Sequence, residues 1–169
     1  IKFLIKQNLR KKILNLLTKQ VSSDLILFFH DQGYLKNLNT VYKIKKKFNL
    51  NFLLIYPNIK SSTKKVYSSL KKYSKKKVLS SMHFKSKSKI IDHLINSKND
   101  LQIVVEKKHP IIHDLLIDIR KIKGCYFSRM TGSGSTCYGL FTNENSSKVA
   151  LKKIKKKYPK FSFLIVKTI

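Results

Sequence analysis

Three of the chain's five glycines lie in one stretch, Arg129 to Phe141, which reads RMTGSGSTCYGLF. The flanking residues favour strands, so the stretch predicts a strand, a tight turn at Gly132, Ser133 and Gly134, and a second strand. Gly-Ser-Gly-Ser is common in plain hairpin connections, and spacing alone favours that interpretation. The alternative is a nest, in which successive backbone N–H groups bind an anion such as phosphate.

Asp24 stands at the start of an apolar run, in the sequence Ser22-Ser23-Asp24-Leu25-Ile26-Leu27-Phe28-Phe29. An Asp that follows Ser is often a helix N-cap, which is the structural interpretation of this residue.

Thr63 and Tyr67 lie in the segment LLIYPNIKSSTKKVYSSL, which predicts a buried strand, a Pro-containing break and a short helix. Ser62 or Thr63 is expected to cap that helix. Spacing alone favours Tyr67 as an aromatic residue of an amphipathic helix packed into the core.

The formal net charge of +29 suggests a nucleic-acid partner at first sight. Only three of the 37 basic residues are arginine, however, and arginine is the side chain best suited to reading bases and phosphates. The chain is also rich in Lys, Ile and Asn, with a single Ala, as an AT-rich genome would produce in any protein. The lysine excess therefore argues for solvated faces, and nucleic-acid binding is not the expected main function.

The hydrophobic fraction of 42% is that of a globular protein. The sequence has neither an apolar run long enough to span a membrane nor the pattern of a signal peptide, so a cytoplasmic location is expected. In that compartment Cys125 and Cys137 are expected to be reduced, packed thiols rather than a disulfide.

The order of predicted elements indicates an α+β fold. From Asn51 onward the order is strand, helices, strand, strand, helix, strand, the split βαβ order of a ferredoxin-like antiparallel sheet covered by helices. Gly124 is expected at the C′ position of the helix opened by Pro110, and Asn145 or Ser146 is expected to cap the helix that ends at Lys157. The lysine- and serine-rich residues 71–89 are predicted to form a loop or a frayed helix.

These segments together resemble the GHMP small-molecule kinases. The glycine turn is similar to the third motif of that family, and the Asp24 segment is similar to its Gly-Ala/Ser-Asp-Val-Pro-Phe-Phe motif without the glycine and the proline. Thr63 and Tyr67 match the Thr and the aromatic residue of a third family segment, and Asn99-Asp100-Leu101 matches a fourth. The last two matches narrow the resemblance to the kinases of the non-mevalonate isoprenoid route that act on a cytidine-diphosphate-linked methylerythritol.

The resemblance implies a domain organisation. Residues 1–48 would be the end of the GHMP kinase N-terminal domain, and residues 49–169 would be its ferredoxin-like C-terminal domain. The family's Pro-x-Gly-x-Gly-Leu-Gly-Gly-Ser-Ser loop, which wraps the ATP phosphates, does not occur in the sequence. The chain is therefore expected to correspond to the C-terminal three-fifths of such an enzyme and to be inactive alone.

The resemblance also implies roles for particular residues. Asp24 would be the catalytic base, Thr63 and Tyr67 would bind substrate with Tyr67 stacked on the cytosine, and Gly132, Ser133 and Gly134 would support the phosphate loop. ATP and Mg²⁺ are the implied cofactors. Asn99 and Asp100 are expected to be structural caps between helices.

Two alternatives remain open. One is a different GHMP kinase, acting on homoserine or a mevalonate derivative. The other is a lysine-rich RNA-binding module, which would need aromatic side chains such as Tyr126, Phe127 and Tyr138 exposed on the sheet.

Overall fold

A computed structural model describes residues 32–37, 40–44, 46–71, 74 and 84–168. The chain divides into two compact units, residues 1–48 with 78–85 and 169, and residues 49–77 with 86–168. Asp24, and most of the lysine- and serine-rich segment, lie outside the described residues.

The described part of the first unit is a hairpin of β1 (Gly33–Asn37) and β2 (Thr40–Lys43). The strands pair antiparallel, with a register shift between Leu35 and Asn37. The side chain of Gln32 extends the hairpin by exchanging two hydrogen bonds with the backbone of Phe48, at 2.9 and 3.1 Å.

The second unit is built on a four-stranded antiparallel sheet. Its strands are β3 (Asn51–Tyr56), β4 (Cys125–Met130), β5 (Cys137–Phe141) and β6 (Ser162–Lys167). Their spatial order is β4-β5-β3-β6, so β3 lies between β5 and β6 and pairs with both. This is the strand order of a ferredoxin-like layer, and the predicted α+β class is confirmed.

Five helices accompany this sheet in the described residues. They are α1 (Thr63–Ser68), α2 (Lys87–Asn96), α3 (Gln102–Lys108), α4 (Pro110–Arg120) and α5 (Glu144–Lys157). Pro110 occupies the first turn of α4, where its missing N–H costs nothing.

Two predicted helix boundaries are wrong. The N-cap of α5 is Asn143, whose side chain accepts a hydrogen bond from the N–H of Ser146 at 2.9 Å. The cap lies earlier in the chain than predicted because β5 ends at Phe141 and α5 already begins at Glu144. The C-cap of α4 is Lys121. Gly124 therefore does not occupy the C′ position and belongs to the turn that follows the helix, with φ +88°.

The core lies between one face of the sheet and the helices. Leu53 and Ile55 alternate along β3 with more exposed residues and are fully buried, as a strand with one covered face requires. They pack in one cluster with the apolar faces of α4 and α5, including Ile112, Leu116 and Ile154. Met130 and Cys137, the strand residues on either side of the β4–β5 connection, belong to the same cluster, so both ends of the connection are anchored in the core.

Candidate active site

The glycine turn, residues Thr131 to Thr136, connects β4 to β5. The N–H of Thr131 donates to the carbonyl of Thr136 at 2.9 Å, and the N–H of Gly134 donates to the carbonyl of Thr131 at 3.1 Å. Gly132 and Gly134 have φ of +54° and +87°, in the region that favours glycine. The predicted strand-turn-strand arrangement is confirmed.

Polar side chains from two other segments hold this turn. The amide of Asn99, between α2 and α3, donates to the carbonyls of Met130 and Gly132 at 2.9 and 2.8 Å. From the approach to α1, the hydroxyl of Ser61 donates to the carbonyl of Ser133 at 2.7 Å. The Thr63 hydroxyl lies 2.8 Å from the Ser133 hydroxyl. The conformation of the turn is thus fixed by its neighbours.

These side chains bond to the carbonyl groups of Gly132 and Ser133 and leave the backbone N–H groups of the same two residues without a partner among the described residues. The N–H groups of Gly132 and Ser133 donate to no other described residue, although the carbonyls of both accept side-chain hydrogen bonds. Gly132 is exposed and Ser133 half-buried. A hairpin connection with unoccupied amides can bind an anion, so the two interpretations of the sequence are compatible.

Next to the turn lies a cavity of about 410 Å³, called here the tyrosine cavity. Thr131 and Gly132 form part of its wall, and the rings of Tyr67 and Tyr138 line it as well. Lys98 and Arg129 contribute two positive charges to the lining, and Asp100 contributes one negative charge. Aromatic rings, cationic side chains and a turn with unoccupied amides suit a ligand with a flat ring and phosphate groups.

Helix α1 presents Tyr67 to this cavity. Ser62 is the N-cap, with its hydroxyl 3.5 Å from the N–H of Lys65, so Thr63 is left to contact Ser133. Val66 points inward and is 6% exposed, whereas Tyr67 is 50% exposed. The interpretation of Tyr67 as a core aromatic residue is therefore wrong: the buried stripe of the helix is only one residue wide.

Arg129 is a site residue that the sequence did not single out. One guanidinium nitrogen donates to the carbonyl of Leu94 at 2.8 Å, at the C-terminal end of α2. The guanidinium also lies 4.6 Å from the centre of the Phe127 ring. Its position immediately before the glycine turn, in a chain with only three arginines, was the available signal.

Asn99 and Asp100 border the cavity, and the expectation that they are caps between helices is wrong: the C-cap of α2 is Ser97 and the N-cap of α3 is Leu101. The side-chain oxygen of Asn99 accepts from the N–H of Leu101 at 3.1 Å, while its amide holds the glycine turn. Asp100 accepts hydrogen bonds from the hydroxyl and the backbone N–H of Ser74, which lower the pKa of its carboxyl group. The negative charge is therefore retained at neutral pH.

The two cysteines are free thiols without nucleophilic character. Burial raises the pKa of Cys137 to about 12 and that of Cys125 to about 11, so both remain protonated at neutral pH. Among the residues that the structure describes, no group of three or more His, Cys, Asp or Glu side chains could hold a metal ion. The described helices also include none long and apolar enough to cross a membrane.

Comparison with known proteins places this geometry in a family. Residues 85–160, which include α2 to α5 and the glycine turn, match the family described as GHMP kinases C terminal. The chain carries a GHMP kinase C-terminal domain. The family consists of kinases, so the predicted resemblance is confirmed at that level.

Relatives named 4-diphosphocytidyl-2-C-methyl-D-erythritol kinase extend the similarity beyond this domain. The protein of that name from Pelagibacter ubique (strain HTCC1062) is 30% identical over 166 residues, 98% of this chain and 57% of that protein. The one from Wolbachia pipientis wMel is 32% identical over 119 residues, 69% of this chain and 41% of that protein. The chain thus spans about half the length of these relatives.

A solved structure shares the fold. The crystal structure of 4-(cytidine 5'-diphospho)-2C-methyl-D-erythritol kinase matches with a TM-score of 0.66, over 90% of this chain and 56% of that one. The sequences are 14% identical, so this match speaks for the fold alone.

Proposed function

We propose that this chain acts, within a longer enzyme, in the ATP-dependent phosphorylation of the 2-hydroxyl of 4-diphosphocytidyl-2-C-methyl-D-erythritol. The observation that carries the proposal is the convergence of three separate segments on one cavity. Tyr67, Asn99 and the glycine turn are far apart in sequence and line the same cavity. The names of relatives at 30% and 32% identity support the choice of substrate.

In this proposal the tyrosine cavity binds the cytidine end of the substrate. The half-exposed ring of Tyr67 offers a face on which a base can stack, and the Thr63 hydroxyl lies beside Ser133 of the turn. Lys98 and Arg129 offset the negative charge of a diphosphate. These residues would bind and orient the substrate, on which phosphoryl transfer mainly depends.

The glycine turn would bind phosphate through its amides. The unoccupied N–H groups of Gly132 and Ser133 fit an anionic oxygen, and the bonds from Asn99 and Ser61 hold the turn in place before a ligand arrives. ATP would supply the transferred phosphoryl group. Mg²⁺ is the other implied cofactor. The described residues include no cluster of carboxylates that could bind it, so we assign no Mg²⁺ ligand in this part of the chain.

Asp24 is the proposed general base and accepts the proton of the reacting hydroxyl. We expect Asp24→Asn, in a protein that includes the phosphate loop, to fold normally and to lose most of its turnover with ATP and the cytidine-diphosphate-linked substrate. Near-normal turnover in that variant would remove Asp24 from the mechanism. We propose the cytoplasm as the location, because both substrates carry phosphates and are water-soluble.

Binding of the substrate to this chain tests the cavity directly. Calorimetric titration with 4-diphosphocytidyl-2-C-methyl-D-erythritol should show binding that Tyr67→Ala weakens about tenfold or more, the cost of one lost base–aromatic stack. Tyr67→Phe should retain it. The matched control is Tyr56→Ala, which removes a ring of similar exposure, 43%, that does not line the cavity.

Equal losses in the Tyr67→Ala and Tyr56→Ala variants would contradict the assignment of the cavity. Homoserine and mevalonate derivatives are the comparison ligands. Binding of one of them in place of the cytidine compound would favour a different GHMP kinase.

No feature of the described sheet favours the RNA-binding alternative. Phe127 is 6% exposed and lies beneath Arg129, and its ring meets that of Tyr138 edge to face at 5.9 Å. Of the three aromatic residues that such a module would need, only Tyr126 is well exposed, at 38%. Bases require open ring faces on which to stack.

A further inference from the structure

A second cavity adjoins α1, and none of the proposed site residues lines it. Its volume is about 670 Å³, and its lining comes from the approach to α1, from residues 65, 66 and 68–71, and from α3 with His109. We call it the lysine cavity, because Lys65, Lys71, Lys107 and Lys108 all contribute to it. Its volume lies in the range of pockets that bind small molecules.

The charge of the lysine cavity is uncompensated. No acidic side chain lines it, and none of its four lysines forms an ion pair with a described residue. By contrast, Lys148 and Lys157 on α5 are each paired with a carboxylate at 2.6 Å. Four ammonium groups around one concavity, with no carboxylate partner among the described residues, attract an anion.

The base of the same cavity is apolar. Val66 and Val105, which are 6% and 2% exposed, form part of its lining together with Leu70, Ile103 and Val104. An inorganic anion would leave this apolar surface without a partner. The lining therefore suits a molecule that joins an anionic group to an apolar body.

We propose that the lysine cavity is a second ligand site, which takes a phosphorylated small molecule with an apolar body. The phosphate lies among the four lysines and the hydroxyls of Ser61 and Ser62, and the apolar body covers Val66, Val104 and Val105. This site is separate from the tyrosine cavity, and the two have no lining residue in common.

Ser61 connects the lysine cavity to the glycine turn. Ser61 lines the lysine cavity, and its hydroxyl donates to the carbonyl of Ser133 in the glycine turn at 2.7 Å. That hydroxyl has one proton to donate. A phosphate that accepts the hydrogen bond of this hydroxyl removes one of the bonds that hold the glycine turn. A ligand in the lysine cavity can therefore regulate phosphate binding at the glycine turn.

The test uses the whole chain with methyl-labelled valine, leucine and methionine, and phenyl phosphate as the probe at constant ionic strength. Phenyl phosphate should shift the methyl resonances of Val66, Val104 and Val105 saturably, with a Kd at least about tenfold below that of inorganic phosphate. Phenol, which has the ring without the charge, should not bind.

Paired charge variants identify the lysines that matter. Lys107→Gln/Lys108→Gln, and separately Lys65→Gln/Lys71→Gln, should each weaken phenyl phosphate about tenfold. The matched control, Lys152→Gln/Lys153→Gln on α5, removes the same charge from an exposed helix face and should change the Kd less than twofold. Tyr67→Ala should leave unchanged the shifts that phenyl phosphate induces in the methyl resonances of Val104 and Val105.

Three results would overturn the proposal. They are equal weakening by the control pair, equal affinity for inorganic phosphate and phenyl phosphate, and shifts confined to Leu101 and Met130 of the tyrosine cavity. The first two would indicate a general effect of the +29 charge, and the third would assign the probe to the tyrosine cavity.

Discussion

The two ends of β4 carry two glycine turns that are held in opposite ways. At the start of the strand, Gly124 is crowded: a Cβ atom there would lie 2.7 Å from the Ser146 hydroxyl and 2.9 Å from the Thr142 hydroxyl. At the other end, a Cβ atom on Gly132 would meet nothing within 4 Å. Both residues have positive φ, but only Gly124 is also required by packing.

The difference separates a glycine used for structure from a glycine used at a site. The carbonyl of Gly124 accepts from the N–H of Thr142 at 2.9 Å, which joins the end of α4 to the start of α5. The glycine turn is instead held by side chains that bond to its carbonyls and leave the amides of Gly132 and Ser133 unoccupied. We therefore expect substitutions at the first end to change stability and those at the second to change binding.

Gly124→Ala is expected to have the largest effect on stability. Alanine at φ +88° is strained, and its Cβ displaces Ser146, which bonds the N-cap of α5. We expect a loss of about 3 kcal/mol in the free energy of unfolding, measured by urea denaturation. A loss below about 1 kcal/mol would show that the crowding relaxes easily and would weaken the contrast between the two turns.

Asn99→Ala should come next, with a loss of about 1.5 kcal/mol from its two hydrogen bonds to the carbonyls of Met130 and Gly132. Because these bonds act locally, amide hydrogen exchange of residues 131–136 should accelerate more than that of β3. Asn96→Ala is the matched control: its amide makes one exposed bond, to the Asp92 carbonyl, and should cost under about 0.5 kcal/mol. Unchanged exchange in the turn would mean that Asn99 does not hold it.

Gly132→Ala should cost about 1 kcal/mol, from the positive φ alone. Gly132→Asn should cost less, because asparagine tolerates the left-handed region better than alanine. Urea denaturation beside Gly124→Ala gives the comparison. A Gly132→Ala loss equal to that of Gly124→Ala would show that both turns are tightly packed.

Acid should weaken the contact between α4 and the C-terminal end of α5, which Asp118 makes with Lys157 and Tyr158. Partial burial raises the pKa of that carboxyl group, but hydrogen bonds from Lys157 and Tyr158, both at 2.6 Å, outweigh it and hold the pKa below the usual value. Because the folded-state pKa is the lower one, the stabilisation is complete above the unfolded-state pKa, about 3.9, and is lost as the pH falls through the folded value.

Urea denaturation at pH 5 and at pH 2.5 measures this effect. Wild type should lose about 1 kcal/mol more than Asp118→Asn over this interval. Equal losses in the two proteins would remove Asp118 from the acid response. Asp92→Asn is a suitable control, because Asp92 is exposed.

Local sequence patterns were enough for the elements of the second unit and their order. Glycines between β-favouring residues predicted the β4–β5 connection, and Pro110 correctly marked the start of α4. The predicted caps at Asn145 or Ser146 and at Gly124 were wrong, because several neighbouring residues can cap a helix and tertiary contacts choose among them. Thr142, Asn143 and Ser146 form one hydrogen-bonded group around Gly124, which chain order does not show.

The sequence by itself determined the fold class, the family resemblance and the residue types of the site, because these follow from local propensity and motif spacing. Only the tertiary structure decided that Tyr67 faces outward, that Asn99 and Ser61 bond to the glycine turn, and that Arg129 and Lys98 border the same cavity. These contacts join segments that are about 30 to 70 residues apart. Which of these segments meet depends on how the helices pack on the sheet, and no local sequence pattern encodes that packing.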